Sequence, residues 1–493
     1  MKRAPAPRPG RQSGGSRDDE RGGAGTRKQI IAAEIGDFLI SPQYDIMKQA
    51  DDYYRNRSDV QRKENKYKNR SNTKIEHPIL KKLVDQKANY LLSKPFSVES
   101  ENKAYADALT EMFDGRFRQK IKSMGKGAVK SGIAWLAPYF EDSTLKWMRL
   151  PSTEVIPLWR DAEHTELDAY IRIYPQVVYS GRNKKTITRV EYWDRQGVRK
   201  YKTTYPIPSL STLEPDYDSD PGTNEFPHFT VNGQPYNWDA VPIVWTKYNE
   251  EELPLCYFIK ELIDDVNWQT SVTADVLRDI AKFIFILKNY GGQDIDQFTR
   301  ELYEALAIQV EGDGGVEKLE PTLNIDAVMA FLDKNRRDLF DYGSGVDTKD
   351  PDLGNASGTA INFRYMDLDT DCAALGAELQ GTFEQMKVFI DAALALSGKG
   401  DFTGDSFHVT FNADLPVNEA DIIANIRGSD GIISRYTQLA NHPWVDNVEE
   451  ELQRIKDEKT REMEEFGAQM FAEDFTAAGQ QPQQQGGGVD GSE

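Results

Sequence analysis

Cysteine is nearly absent. The 493 residues hold two, Cys256 and Cys372, far apart in the chain. A disulfide-stapled scaffold is thereby excluded, and a reducing cytosolic origin is the simplest expectation. Histidine is almost as scarce: His77, His164, His228, His408 and His442 show no metal-ligand spacing, so no metal site is expected. No run of about 18 apolar residues occurs, so no segment is expected to span a membrane. The basic N-terminus has no apolar stretch behind it that would make a secretory signal. An excess of positive charge is missing too. Lys and Arg number 60 against 80 Asp and Glu, a formal net charge of −20. A protein that grips nucleic acid by neutralising phosphates is usually basic. Either DNA is not a partner, or it is a partner that must pass without being held. Composition by itself favours the first.

Catalytic signatures are missing as well. Gly127-Ala-Val-Lys-Ser-Gly132 imitates a phosphate loop but lacks the Gly-Lys-Ser/Thr ending that puts a lysine on the phosphates. No other stretch matches, so the chain is not expected to be an ATPase. Asp367, Asp369 and Asp371 with Glu378 imitate the acidic spacing of a calcium loop, but the sixth position, which needs glycine for a sharp turn, is Cys372. An acidic solvated helix face accounts for them. No catalytic residue, cofactor or metal is assigned, and the chain is expected not to be an enzyme.

What is present is a mainly helical α+β pattern with 39% hydrophobic and 28% charged residues. Residues 1–28, rich in Pro, Gly, Ser and Arg, and 479–493, rich in Gln and Gly, carry too little apolar surface to offset chain entropy and are expected to be disordered. Between them, 29–130 is expected to be mainly helical. It contains a basic run, Arg55, Arg57, Arg62, Lys63, Lys66, Lys68, Arg70 and Lys74, which fits an anion or nucleic-acid contact, or else a solvated face or a subunit contact against acidic neighbours. From about 131 to 250 the pattern turns to β, with one hairpin joining 132–140 to 145–150 and another joining 186–193 to 198–201. Residues 206–240 have loop composition.

Ile259, Ile263, Val266, Thr273, Val276 and Ile280 recur at helical spacing and predict a helix over 253–280, roughly 40 Å long. A small α/β insert follows, with a strand at 283–287, a helix near 294–307 and a strand at 308–310. A helix is predicted over 324–342, then a Gly/Asp loop over 343–355. The longest helical pattern runs from the N-cap Ser357 to the stop Gly398, through Ile361, Tyr365, Leu368, Cys372, Leu375, Leu379, Phe383, Met386 and Ile390. It would be about 60 Å long. A strand at 407–411 and charged helices from 418 to about 478 complete the chain. Such helices would leave exposed flanks in a lone monomer, and packing side by side in a ring would cover them.

Several stretches resemble a known family in order: Tyr53-Tyr-Arg-Asn56, Asn89-Tyr-Leu-Leu-Ser-Lys-Pro95, Gly127-Ala-Val-Lys-Ser-Gly-Ile-Ala134, Glu191-Tyr-Trp-Asp194, Val241-Pro-Ile-Val244, Leu287-Lys-Asn-Tyr-Gly-Gly292, Asp313-Gly-Gly-Val316 and Asn355-Ala-Ser-Gly-Thr-Ala360. Together they span roughly 45–460. The chain resembles the portal proteins of tailed double-stranded-DNA bacteriophages, in the siphophage branch typified by phages of Gram-positive hosts. Family members often have glycine where this chain has Ser93.

The resemblance implies a portal fold of wing, stem, clip and crown, assembled as a dodecameric ring at one capsid vertex. Double-stranded DNA would be packaged and ejected through its centre. By analogy 29–250 is the wing, 251–282 a stem helix and 283–320 the clip. A second stem helix at 321–343 lines the channel, and 344–357 is the tunnel loop nearest DNA. Residues 358–414 return to the wing, and 415–478 form the crown. The implied DNA-proximal residues are Val346, Asp347, Thr348, Lys349, Asp350, Pro351, Asp352, Leu353, Gly354 and Asn355. The channel-lining candidates are Asp326, Asp333, Lys334, Arg337 and Asp341. In the clip, Lys288, Asn289, Tyr290, Gly291, Gly292, Glu311 and Asp313 would dock partners. The implied partners are further copies of the chain, the terminase large subunit, the head–tail adaptor, and the major capsid and scaffolding proteins, with no membrane. The implied location is the virion, after assembly in the host cytoplasm. Twelve copies at −20 would give −240, and an acidic wall would let a polyanion slide. Gly343, Gly345 and Gly354 would give the loop flexible flanks. Other readings are a minor head protein or adaptor, or a packaging-associated nuclease.

Overall fold

The computed structural model describes residues 17–65, 71–141, 144–204, 212–231, 233–279, 284–288, 296, 315–319, 324–350, 358–412, 419–445 and 448–477. The chain opens with α1 (Arg17–Leu39), α2 (Pro42–Tyr54) and α3 (Ile79–Leu92), then β1 (Ser97–Glu99), α4 (Lys103–Met112) and α5 (Gly115–Ser131). Strands follow: β2 (Ile133–Glu141), β3 (Thr144–Leu150), β4 (Val155–Trp159), β5 (Leu167–Ser180), β6 (Asn183–Asp194) and β7 (Gly197–Thr204). Short strands β8 (Glu214–Pro215), β9 (Glu225–Phe226), β10 (Phe229–Val231), β11 (Gln234–Tyr236) and β12 (Val244–Lys247) lead to α6 (Leu255–Asp279). Then come β13 (Ile284–Lys288), β14 (Gly315–Leu319), α7 (Ile325–Tyr342), α8 (Gly358–Leu396) and β15 (His408–Thr410). The last helices are α9 (Glu419–Gly428), α10 (Arg435–Ala440) and α11 (Val448–Ala477). Two compact units result: Met1–Asn355 with Phe363–Asp414, and Ala356–Asn362 with Leu415–Glu493.

The first unit is organised around the apolar stripe of α8. Leu368, Cys372, Leu375, Leu379, Phe383, Met386 and Ile390 are all buried, at the three- and four-residue steps of one helix face. Each such side chain contributes roughly 1.5–3 kcal/mol on leaving water. Against this stripe lie α3, through Leu80, Leu83, Val84 and Leu91, and α5, through Phe117, Ile121, Met124 and Ala128. Phe96 meets Phe113, Phe117, Phe383 and Phe411 edge-on, with ring centroids 5.3–6.5 Å apart. The geometry suits the aromatic quadrupoles.

Two antiparallel sheets cover other faces. One has the order β12-β2-β3, and the other runs β4-β5-β6-β7-β8 with β9 also on β7. The β2–β3 and β6–β7 hairpins match the sequence expectation. Ile31 and Ile35 of α1 pack on Ile156, Ile171 and Val190 of the larger sheet. β1 pairs with β15, Ser97 opposite Thr410, which ties the segment after α3 to the end of the first unit.

Two expectations need correction. The tail was expected to be disordered through residue 28, yet α1 begins at Arg17. Docking of Ile31 and Ile35 supplies the costly nucleus, and the helix then extends backwards from it. Residues 206–240 were expected to form one loop, yet β8 and β9 extend the edge of β7 and β10–β11 make a further hairpin. Of the predicted small insert, β13 and β14 are described, pairing Ile284 with Leu319 and Lys288 with Gly315. The helix near 294–307, apart from helical Asp296, and the strand at 308–310 lie outside the described residues.

Candidate functional site

The phosphate-loop look-alike is the end of a helix. Asp114 caps α5 by accepting the Phe117 N–H at 2.7 Å, and Gly132, at φ 84°, ends it. At Gly127 a Cβ would meet Ala134 and the Arg149 guanidinium, so the glycine serves close packing. Among the described residues no set of His, Cys, Asp or Glu is arranged to hold a metal ion. None of their helices is long and apolar enough to cross a membrane. Both cysteines are free and buried, and burial pushes each thiol up to about 12.

The calcium-loop look-alike is also structural, and it is less solvated than its sequence implies. Asp371 accepts from Lys87 Nζ at 2.7 Å and from the Tyr248 hydroxyl at 3.0 Å. Asp369 accepts from the Tyr90 hydroxyl at 2.7 Å. A buried lysine needs such a partner to remain charged.

The basic run resolves into a strap on α6. The main-chain N–H groups of His77, Ile75, Thr73 and Ser71 donate in turn to Asn267, Ser271, Asp275 and Asp279, at 2.9, 2.9, 2.6 and 3.1 Å. Two residues of extended chain advance about 6.6 Å and four residues of helix 6.0 Å. The two repeats therefore keep step along the helix. Lys63 pairs with Asp275, Arg55 with Asp51 and Arg62 with Asp59. Lys66, Lys68 and Arg70 lie outside the described residues.

The helix α7 carries the channel-lining candidates. Leu332, Asn335 and Leu339 face inward, and the Asn335 amide donates to Asp265 of α6 at 2.6 Å. Asp326, Asp333, Lys334, Arg337 and Asp341 are all exposed, and at 3.6 residues per turn they fall within about 100° of arc on the opposite side. Lys334 pairs with Asp338 along the same helix. Three carboxylates and two cations make this face close to balanced. The acidic excess lies elsewhere: sixteen acidic and six basic side chains in 415–493 carry a net −10, half of the chain's −20.

The proposed loop divides. Val346 is buried, 4% exposed. Asp347 takes both Arg336 Nε and a terminal Arg336 nitrogen, at 2.5 and 2.8 Å, and these hydrogen bonds hold its carboxyl below the usual range. Thr348 and Lys349 are exposed, and Asp350 pairs with Arg364 of α8. Pro351, Asp352, Leu353, Gly354 and Asn355 lie outside the described residues. So do Asn289, Tyr290, Gly291, Gly292, Glu311 and Asp313, while Lys288 ends β13. Gly343 and Gly345 are closely packed. Neither has positive φ, and a Cβ on either would run into Leu83. They are glycines because α3 comes close.

Sequence reasoning missed Arg336, Arg364, Gln86 and Lys87. One signal was available for Lys87. It falls within the stripe Leu80, Leu83, Val84, Ala88, Leu91, where an isolated charge on an apolar face asks for a buried partner.

Comparison with known proteins follows this geometry. The family model described as phage portal protein, SPP1 Gp6-like, matches residues 41–465. The chain is 28% identical over 430 residues to the portal protein of Bacillus phage SPP1, covering 84% of each chain. It is 28% identical over 437 residues to the portal protein of Clostridium phage phiCD119, covering 83% of this chain and 92% of that one. Among solved structures, the neck of a native gene transfer agent particle, computed with C12 symmetry, aligns with a TM-score of 0.40 and 13% identity, over 74% of this chain and 90% of that one. The family match spans most of the chain, and on it this protein belongs to the SPP1 Gp6-like family of phage portal proteins.

Proposed function

We propose that twelve copies of this chain close into a ring at one capsid vertex, and that double-stranded DNA passes through the centre during packaging and ejection. In this reading 29–250 is the wing and 251–282 with 321–343 form the stem. The clip at 283–320 docks the terminase large subunit and later the head–tail adaptor, and 344–357 approaches DNA. Residues 358–414 return to the wing, and 415–478 form the crown. The ring works as a conduit without catalysis of its own. It is assembled in the host cytoplasm beside capsid and scaffolding proteins and retained in the virion.

The observation that carries this reading is the surface of the α6–α7 pair. One face of α7 is open, polar and nearly balanced in charge, as a wall along which a polyanion slides must be. Both helices also carry exposed apolar side chains, Tyr257, Phe258, Trp268 and Leu277 on α6 and Ile325, Met329 and Phe331 on α7. Exposed apolar groups on long helices suit burial against neighbouring copies.

The test is charge. Changing Asp326, Asp333 and Asp341 to Asn takes the five-residue set from −1 to +2 per copy. Rings should still form, but DNA should stick: packaging slows at low salt and recovers as salt screens the new attraction. Packaging that is unchanged at every salt concentration would remove α7 from the channel wall.

A further inference from the structure

Four residues on two adjacent ridges of α3 grip the chain just after α7. Lys82 Nζ lies 3.8 Å from Asp347 Oδ1. Leu83 fills the space that side chains at 343 and 345 would need. Gln86 makes a two-point contact with Val346, its amide donating to the carbonyl at 3.0 Å and its oxygen accepting the N–H at 3.0 Å. Lys87, fully buried, donates to the Ser344 carbonyl at 2.9 Å and to Asp371 of α8 at 2.7 Å.

Other main-chain groups of this limb close on neighbours. Gly343 N–H donates to Leu339 O at 3.1 Å, Gly345 N–H to Phe340 O at 2.8 Å, and Lys349 N–H to the Asp347 carboxylate at 3.1 Å. Asp347 is at once tied to Arg336. Every residue from 343 to 347 is therefore fixed by packing, by a hydrogen bond or by an ion pair. A two-point amide clamp plus a buried ammonium on a carbonyl is costly to undo, because the buried partners lose hydrogen bonds on release.

We infer that Leu83, Gln86 and Lys87 are positioning residues that make residues 343–347 a rigid extension of α3, so that the helix sets where the DNA-proximal loop begins. Gly343 and Gly345 then serve contact with α3 and not bending. The inference rests on the proposed identity of 344–357 as the loop that faces DNA, but the grip itself can be measured without DNA.

The experiment uses assembled rings of the full chain, and reads hydrogen exchange of the limb and DNA packaging in parallel. Gln86→Ala removes the two-point clamp without stranding a charge. Rings should form as before, the Val346 amide should exchange at least about ten-fold faster, and packaging should slow. Gln86→Glu keeps the acceptor and loses the donor, and its exchange should fall between. Separately, Gly345→Ala should impair packaging, because a Cβ there would collide with Leu83. The inference is overturned if limb amides exchange equally fast in Gln86→Ala and the parent, or if Gly345→Ala packages like the parent. Fast exchange in parent rings that fill with DNA normally would also overturn it while leaving the conduit reading intact. A protected limb in rings that never admit DNA would support the grip and sink the conduit reading.

Discussion

Single side chains of this protein are tuned by burial more than by chemistry. His228 is the clearest case. Its Nδ1 accepts the Trp238 N–H at 3.0 Å and its Nε2–H donates to the Asp194 carbonyl at 2.8 Å, so both ring nitrogens are committed to the neutral form. Burial, against the weaker opposing pull of Asp194, lowers its pKa from 6.5 to about 4. Between those two values the unfolded chain binds a proton that the folded chain refuses. Stability is therefore whole above pH 6.5 and falls as pH drops toward 4, by up to about 3 kcal/mol. His228→Gln should flatten that part of the pH–stability curve; an identical slope in the variant would show that His228 is free to protonate in the fold. Lys87 is likewise buried, and its Nζ donates to Asp371 and to the Ser344 carbonyl.

At the scale of elements, the long helices were the most legible features. α6, α7 and α8 follow from apolar residues at three- and four-residue spacing, and their observed bounds stay within a few residues of those expected. The hairpins followed from β-rich runs flanking turns. What stayed hidden is long-range. Nothing local tells Ser97–Glu99 that its partner strand is His408–Thr410, or tells Ser71–His77 that it will lie along α6. Yet the ladder left a trace, since Asn267, Ser271, Asp275 and Asp279 are polar side chains exactly one four-residue step apart, on a helix whose Asn267 and Ser271 are buried. The charged residues of α7 were legible but the face they share was not, since that needs the helix register; the grip on residues 343–347 was hidden as well, because glycine bends as readily as it packs. The ladder predicts a specific failure. Asn267→Ala with Ser271→Ala strands the His77 and Ile75 N–H groups, at about 1–3 kcal/mol each. Hydrogen exchange should quicken in 71–77 while α6 stays protected. Unchanged exchange in the strap would mean that Asp275 and Asp279 hold it unaided.

For the molecule as a whole, the charge pattern is the informative quantity. The acidic excess is concentrated in 415–493, whereas the exposed arc of α7 is nearly neutral. Sliding of DNA past this protein would then rest on sparse, balanced charges near the duplex and on acidity elsewhere, not on a uniformly negative wall. This also alters which substitutions are informative. Asp347 and Asp350 are engaged by Arg336 and Arg364, so neutralising them loosens the loop's attachment before it changes any field on DNA, and Asp326, Asp333 and Asp341 are the cleaner probes. All of this presupposes that copies close around an axis with α7 turned inward. End-on electron micrographs of the purified full-length chain test that most directly: the account predicts rings with an open centre, and a population of compact single particles at high protein concentration would contradict it.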